Sequence, residues 1–362
     1  VPLTPKRPHP NQPALKRPDG SSQKANVGAL EFEVEVLPGL EPFALAELKR
    51  LAGVQRVSAG EAAVAFRFVG DAAKLAALRT VVAAYQVLHF AVPRPKALLG
   101  HEHLSRLGRA VAALPRRETF GSFRLSAAGS DSAVYTRLTE LLARETGLPH
   151  VPDEGELLVR VRRAPSEGWE VLLRLSPRPL SARPWRVCNL AGGLNAALAA
   201  AMLTLADVKP GDRVFNPMCG SGTLLVEQGL RFPPARLFGC DLNPAALECS
   251  AQNLRAAGLG GTELLEADAT RTGLEAGSVD VIVTDPPWGD AVGSHTGNAA
   301  LYPALLSEAA RLAAPGARLV LLTHDLRLFE RTLRAQAAWR AVEQFGVFHS
   351  GHHPRVYLLR TA

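Results

Sequence analysis

Apolar residues recur along this chain with two different periods, and the period dictates what each segment can form. In Glu31-Phe32-Glu33-Val34-Glu35-Val36 every second residue is apolar, the spacing of a half-buried strand. Glu41 to Leu51 predicts a helix, Ala62 to Phe68 a strand, and Asp71 to Ala84 a second helix. Beyond Pro93-Arg94-Pro95 the pattern predicts a helix from His101 to Leu114 and a strand from Phe123 to Ala127. It then predicts a helix from Asp131 to Glu145, with Ser130 or Asp131 as N-cap. Leu157–Arg162 and Trp169–Leu175 read as paired strands, with Val159 and Val161 on one face and Arg160 and Arg162 on the other. Strands and helices that interleave without Gly-rich loops predict α+β structure for this half.

The rhythm changes after Arg186. An Ala-rich helix from Leu194 to Ala206 comes first. Strands at Arg213–Asn216, Arg236–Cys240, Glu263–Glu266, Val279–Thr284 and Arg318–Thr323 then alternate with helices. That order predicts an α/β, Rossmann-like, doubly wound parallel sheet. Val342–His349 and Arg355–Leu359 are separated only by residues 350–354, too few for a parallel crossover, so they predict an antiparallel hairpin. Four units follow: a disordered, basic, Pro-rich tail (1–27), α+β units at 28–95 and 96–180, and the doubly wound domain at 181–362.

Charge adds a partner class. Of the net +7, four charges sit in the tail, where Lys6, Arg7, Lys16, Arg17 and Lys24 outweigh Asp19. A basic excess suits a polyanion; a solvated Arg-rich surface gives the same sum. Arg124, Arg160, Arg162, Arg174, Arg183 and Arg186 are the candidate phosphate contacts, since few acidic residues lie near them in sequence. The alternative is a charged edge strand that discourages aggregation. Cys188, Cys219, Cys240 and Cys249 form no close pair, so neither a zinc site nor a disulfide is expected, and reduced thiols suit a cytoplasmic chain. His352 and His353 are adjacent in a turn and point apart, so no metal is expected. There is no long uncharged apolar run, so no membrane span is expected either.

Four motifs carry the chemistry. Asn216-Pro217-Met218-Cys219-Gly220-Ser221-Gly222-Thr223 follows a strand and opens a helix, where glycines let backbone approach a ligand. The Lys of a phosphate loop is absent, which disfavours ATP hydrolysis. Asp241, with Leu242 beside it, ends the next strand, where an acid can bind ribose hydroxyls; capping a helix is the plainer alternative. Asp268, with Ala269, follows the third strand, where a carboxylate can meet an adenine amine. Asp285-Pro286-Pro287-Trp288-Gly289 ends the fourth strand. Asp285 and the Pro286 carbonyl are two acceptors for an aryl amine, and Trp288 offers a flat face to a base. An aryl amine is a poor nucleophile because its lone pair is delocalised. Two acceptors on its N–H bonds favour a pyramidal nitrogen with a directed lone pair.

These motifs resemble the THUMP-domain tRNA guanine-N2 methyltransferases. Residues 216–223 resemble the family's cofactor loop and Asp285-Pro286-Pro287-Trp288 its catalytic tetrapeptide. Pro38-Gly39-Leu40-Glu41 and Arg183-Pro184-Trp185-Arg186 match more loosely. The resemblance implies a ferredoxin-like unit, a THUMP module that grips tRNA, and a Rossmann-like domain using S-adenosyl-L-methionine. The expected roles are catalytic for Asp285, Pro286 and Trp288, and cofactor-binding for residues 216 and 218–223 with Asp241, Leu242, Asp268, Ala269 and Asp285. This chain has Asn216 where the family usually has Asp, Trp288 where Tyr is commoner, and no Pro or Ser/Thr in Leu194-Asn195-Ala196-Ala197-Leu198. The expected activity is N2-methylation of guanine in the tRNA acceptor-stem region, guanine 6 ahead of guanine 10, by a monomer. Ribosomal RNA guanine-N2 or adenine-N6 methylation is the alternative, because both bases present an exocyclic amine. A non-catalytic RNA-binding protein of the same fold is another.

Overall fold

The computed structural model describes residues 28–115, 120–231, 234, 236–287, 295–349 and 351–362. The tail expected at 1–27 lies outside them, as does Trp288.

The first half runs β1 (Leu30–Glu35), α1 (Glu41–Lys49), β2 (Val54–Gly60), β3 (Ala63–Phe68), β4 (Ala83–Phe90), α2 (His101–Ala112), β5 (Phe123–Ala127), α3 (Ala133–Thr146), β6 (Leu157–Arg163) and β7 (Trp169–Arg174). Its strands form one seven-stranded sheet in the order β2-β3-β1-β4-β7-β6-β5. The sheet runs unbroken past residue 95, because β4 pairs antiparallel with β7.

The helix expected at Asp71–Ala84 is wrong. Asp71 caps only a short 3-10 turn at Ala72–Ala77, and the chain then enters β4, a central strand paired with both β1 and β7. The Ala- and Leu-rich composition of 72–78 imitates a helix; strand pairing of the β-branched and aromatic run behind it prevails. Nor is β6 an edge strand, since β7 and β5 flank it. The N-cap of α3 is Ser132 rather than Ser130 or Asp131.

The second half runs α4 (Ala196–Ala206), β8 (Arg213–Pro217), α5 (Thr223–Arg231), β9 (Arg236–Asp241), α6 (Pro244–Ala256), β10 (Glu263–Glu266), β11 (Val279–Thr284), α7 (His295–Leu312), β12 (Ala313–Thr323), α8 (Leu326–Arg334), β13 (Trp339–Gly346) and β14 (Arg355–Thr361). The sheet order is β10-β9-β8-β11-β12-β14-β13. Its first five strands are parallel, and the closing β13–β14 hairpin is antiparallel, as the short connection requires. The chain winds outward through β8, β9 and β10, then returns to β11. The switch point between β8 and β11 is where such sheets bind ligands.

Strand alternation divides the packing. Val214, Val281, Val283, Val320 and Leu322 face a core that continues into the first half, while Phe215, Ile282, Leu319 and Leu321 face the other side. Nearly every residue of α4 is buried, and the helix packs on α5, β11, β12 and β14. Small Ala side chains allow that close approach.

The two halves are fastened to one another. Phe43 of α1 lies 4.6 Å from Phe345 of β13, ring to ring. The Phe348 N–H donates to the Pro38 carbonyl at 3.0 Å. Gly39 has φ +101°, and a Cβ there would stand 2.1 Å from the Gly346 carbonyl oxygen, so only glycine fits this corner. The structure also pairs Cys188 with Cys249 in a disulfide, contrary to the expectation of reduced thiols throughout. The partners lie 61 residues apart in sequence, and only docking of the segment before α4 against α6 brings their Cα atoms to 5.4 Å.

Candidate active site

The loop after β8 and the segment after β11 leave adjacent strands. Val281 pairs with Val214 and Ile282 with Phe215, which puts Asp285 level with the start of the loop. Two side chains lock this junction: Asn216 Nδ2 donates to the Val283 carbonyl at 2.8 Å, and Thr284 Oγ1 to the Pro217 carbonyl at 2.8 Å. Asp285 is half-buried and Pro286 buried.

The loop turns through three left-handed residues, Met218 (φ +53°), Gly220 (φ +55°) and Gly222 (φ +75°). The Cys219 N–H donates to the Cys240 carbonyl, and the Gly220 N–H to Asp241 Oδ2 at 2.9 Å, so the loop lies against the end of β9. From α6, Ser250 Oγ donates to the Gly220 carbonyl at 2.8 Å and Asn253 Nδ2 to the Ser221 carbonyl at 2.9 Å. Asn253 Oδ1 also accepts the Val187 and Cys188 N–H groups, both at 2.9 Å. One buried asparagine thus joins the loop to the segment before α4. Burial pushes the Cys219 thiol up to about 12, so it stays protonated and is no nucleophile.

Gly222 is required for a different reason than ligand approach: a Cβ there would meet Ser250 Oγ at 2.7 Å. Gly220 is the open one: among the described residues nothing lies within 4 Å of where a Cβ would stand. Asn216 Oδ1 is buried and accepts no hydrogen bond from the described residues. An orphaned acceptor beside an open glycine fits a ligand that brings a donor.

Asp241 Oδ1 accepts the Asn243 N–H at 3.0 Å, while Asn243 itself caps α6. Leu242 is 64% exposed, an apolar face at the strand end. Asp268 is exposed and its Oδ1 accepts from Thr270 N–H and Oγ1, which shapes the turn that buries Ala269. Behind this turn Glu308 of α7 accepts from Thr272 N–H at 2.9 Å and Oγ1 at 2.6 Å. The paired Arg311 guanidinium, with Thr272, pulls the Glu308 carboxyl down to about 2.

The arginines do not form a free basic stripe. Arg162 pairs with Glu33 and Glu170, and Arg160 with Glu35, across the sheet face. Arg124 donates to the Asp153 carbonyl at 2.7 Å. Arg174 is only 3% exposed and donates to the carbonyls of Ser176, Glu156 and Pro177. Arg183 is buried against Glu227 at 2.8 Å. Neither buried guanidinium can reach a phosphate, which corrects the expectation for both. Acidic neighbours scarce in sequence are supplied by pairing, because β6 packs beside β7 and faces β1 residues. Arg186 turns inward and donates to Thr223 Oγ1 at 2.9 Å.

Sequence reasoning missed Ser250, Asn253 and Thr284. A signal was available for two of them: Ser250 and Asn253 stand on the stripe of Ala246, Cys249 and Leu254, where a buried helix face should be apolar.

Residues 183–355 match the family described as RMKL-like, methyltransferase domain (UPF0020). A tRNA (guanine(6)-N2)-methyltransferase of Thermus thermophilus is 36% identical over 286 residues, 75% of this chain and 83% of that protein. The mouse tRNA (guanine(6)-N(2))-methyltransferase THUMP3 is 35% identical over 182 residues, 46% of this chain and 36% of that one. The crystal structure of TrmN from Thermus thermophilus superposes with a TM-score of 0.72 at 29% identity, covering 92% of this chain and 100% of that chain. Strand order and the switch-point loops define a Rossmann-like methyltransferase. Within that class, the chain belongs to the tRNA (guanine-N2)-methyltransferase family.

Proposed function

We propose that this protein is an S-adenosyl-L-methionine-dependent tRNA methyltransferase forming N2-methylguanosine in the acceptor-stem region, guanine 6 first and guanine 10 next. The observation that carries the proposal is the junction of β8 and β11. It sets the Asp285-Pro286 acceptors beside a glycine loop with an open face and an orphaned acceptor at Asn216. The first half, read as a ferredoxin-like unit (28–95) followed by a THUMP module (96–180), is the RNA-holding part. A tRNA substrate makes the protein cytoplasmic, and the fold is read as a monomer. Adenine-N6 methylation stays an alternative for the acceptor pair, but the guanine-N2 names of the relatives favour guanine.

Asn216, Met218 to Thr223, Asp241, Leu242, Asp268 and Ala269 are the residues that would hold the cofactor. Bound there, it supplies a methyl group already activated by a positive sulfur. The chain's own task is positioning. The target base leaves its stack at a cost of a few kcal/mol and lies against Trp288. The Asp285 carboxylate and Pro286 carbonyl accept its N–H bonds and aim the nitrogen lone pair at the methyl. Asp285 also favours the positive charge that grows on nitrogen as the bond forms.

Single-turnover transfer to unmodified tRNA, followed by nucleoside mass spectrometry, tests this reading. Asp285→Ala is expected to lower the chemical rate by about 100-fold or more, far more than it weakens cofactor binding, which residues 216–223 and 241 mainly carry. Asp285→Asn keeps one acceptor and falls between. A wild-type rate in Asp285→Ala, or a product other than methylated guanosine, overturns it.

A further inference from the structure

Three guanidiniums and one carboxylate meet beneath the glycine loop. Glu227 of α5 is fully buried and accepts from Arg79 Nε at 2.9 Å and from Arg183 Nε at 2.8 Å. Its two oxygens are thereby spent on arginines from the first half and from the connecting segment. Arg186 stands beside this group, and among the described residues none of its hydrogen bonds goes to a carboxylate. Its Nη2 donates to the Leu194 carbonyl and to Thr223 Oγ1, both at 2.9 Å. Arginine stays protonated in proteins, so the group carries an excess of positive charge. A cation half-removed from water, with a carbonyl, a hydroxyl and the Trp185 ring 5.2 Å away as partners, is costly, and an arriving anion offsets that cost.

The same guanidinium lines a cavity of about 310 Å³ together with Gly193, Asn195 and His349. Backbone approaches closely at Gly193: a Cβ there would stand 3.1 Å from the Leu190 carbonyl oxygen, 3.4 Å from Arg186 Nη1 and 3.9 Å from Ser221 Oγ of the loop. Arg186 is therefore an unneutralised donor at the rim of the loop. At the loop's start, Asn216 Oδ1 is a buried acceptor without a donor among the described residues. A donor with net positive charge where Arg186 meets Thr223 of the loop, and an unfilled acceptor on Asn216 at the end of β8, suit an α-amino acid end, which carries a carboxylate and an ammonium on one carbon.

We propose that Arg186 binds the α-carboxylate of the cofactor's methionine end, in the cavity that it lines with Gly193. The inference rests on the S-adenosyl-L-methionine reading of the loop. It reassigns Arg186 from RNA phosphate to cofactor.

Calorimetry on the full chain tests it with two ligands: S-adenosylhomocysteine and its analogue lacking the carboxylate. Arg186→Gln is expected to weaken S-adenosylhomocysteine binding about tenfold or more, the scale of a lost charge-assisted hydrogen bond. Binding of the decarboxylated analogue is expected to stay at the wild-type level. Arg186→Lys, which keeps the charge and loses the planar fork, is expected to fall between. A thermal melt of each variant confirms that it is folded. Unchanged S-adenosylhomocysteine affinity in both variants overturns the proposal. So does equal weakening of both ligands, which would make Arg186 a prop for the loop, or a loss confined to tRNA binding. If the wild-type chain binds neither ligand, the cofactor reading itself fails.

Discussion

Buried polar side chains tie the candidate site together one bond at a time. Asn216 and Thr284 lock β8 to β11, while Ser250 and Asn253 hold the loop from α6. Glu308 acts similarly on the turn after β10, through Thr272. Its carboxyl is held well below the usual glutamate value, at about 2, by Arg311 and Thr272. A depressed carboxyl stabilises the fold above its unfolded pKa, and that contribution drains away as pH falls through the folded value. The stability gap between wild type and Glu308→Gln is therefore expected to be constant above about pH 5 and to shrink between about pH 4.5 and 2. Denaturant midpoints of both proteins across that range are the measurement; a gap independent of pH would contradict the assignment. The partly exposed Arg311 keeps the effect modest.

At the scale of elements, the β13–β14 hairpin does two jobs. It closes the catalytic sheet beside β12 and presents its tip to the first half of the chain. The Pro38-Gly39-Leu40-Glu41 signature has a packing reason here: Gly39 meets the Gly346 carbonyl directly, and Glu41 accepts the Gly39 and Ala62 N–H groups. Gly39→Ala adds a Cβ 2.1 Å from that oxygen on a left-handed residue. The corner must then open, at a cost of about 2 kcal/mol or more. Urea denaturation should show a lower midpoint, whereas an unchanged midpoint would mean that the halves do not depend on this corner.

Across the whole molecule, the connecting segment 175–195 decides how the halves meet. Arg183 and Arg79 share Glu227, and Cys188 is bonded to Cys249 on α6. Closing a loop across 61 residues of separation removes unfolded-state entropy worth up to about 4 kcal/mol. Reductant is expected to lower the melting temperature of the wild type by several degrees and to leave Cys188→Ser, already lower, unmoved. A wild-type melting temperature indifferent to reductant would show that the bond contributes nothing to stability.

Much of this was written in local sequence. Alternation placed β1, β3, β5, β6 and β7 and the strands of the doubly wound sheet, because a strand with one or two buried faces must space its apolar residues accordingly. The motifs at 216–223 and 285–287 stand at strand ends for a related reason: their glycines and prolines favour turns and punctuate the strands they follow. What sequence could not decide involved partners far along the chain. β4 is a strand because β1 and β7 flank it, against the helical composition just before it. Arg160, Arg162, Arg174 and Arg183 look free in one dimension and find carboxylates and carbonyls only once the sheet and the seam between halves exist. Cys188 and Cys249 become neighbours only when the connecting segment docks on α6. Periodicity reports which face a residue turns inward; it carries no information on what waits there, and that is settled by packing alone.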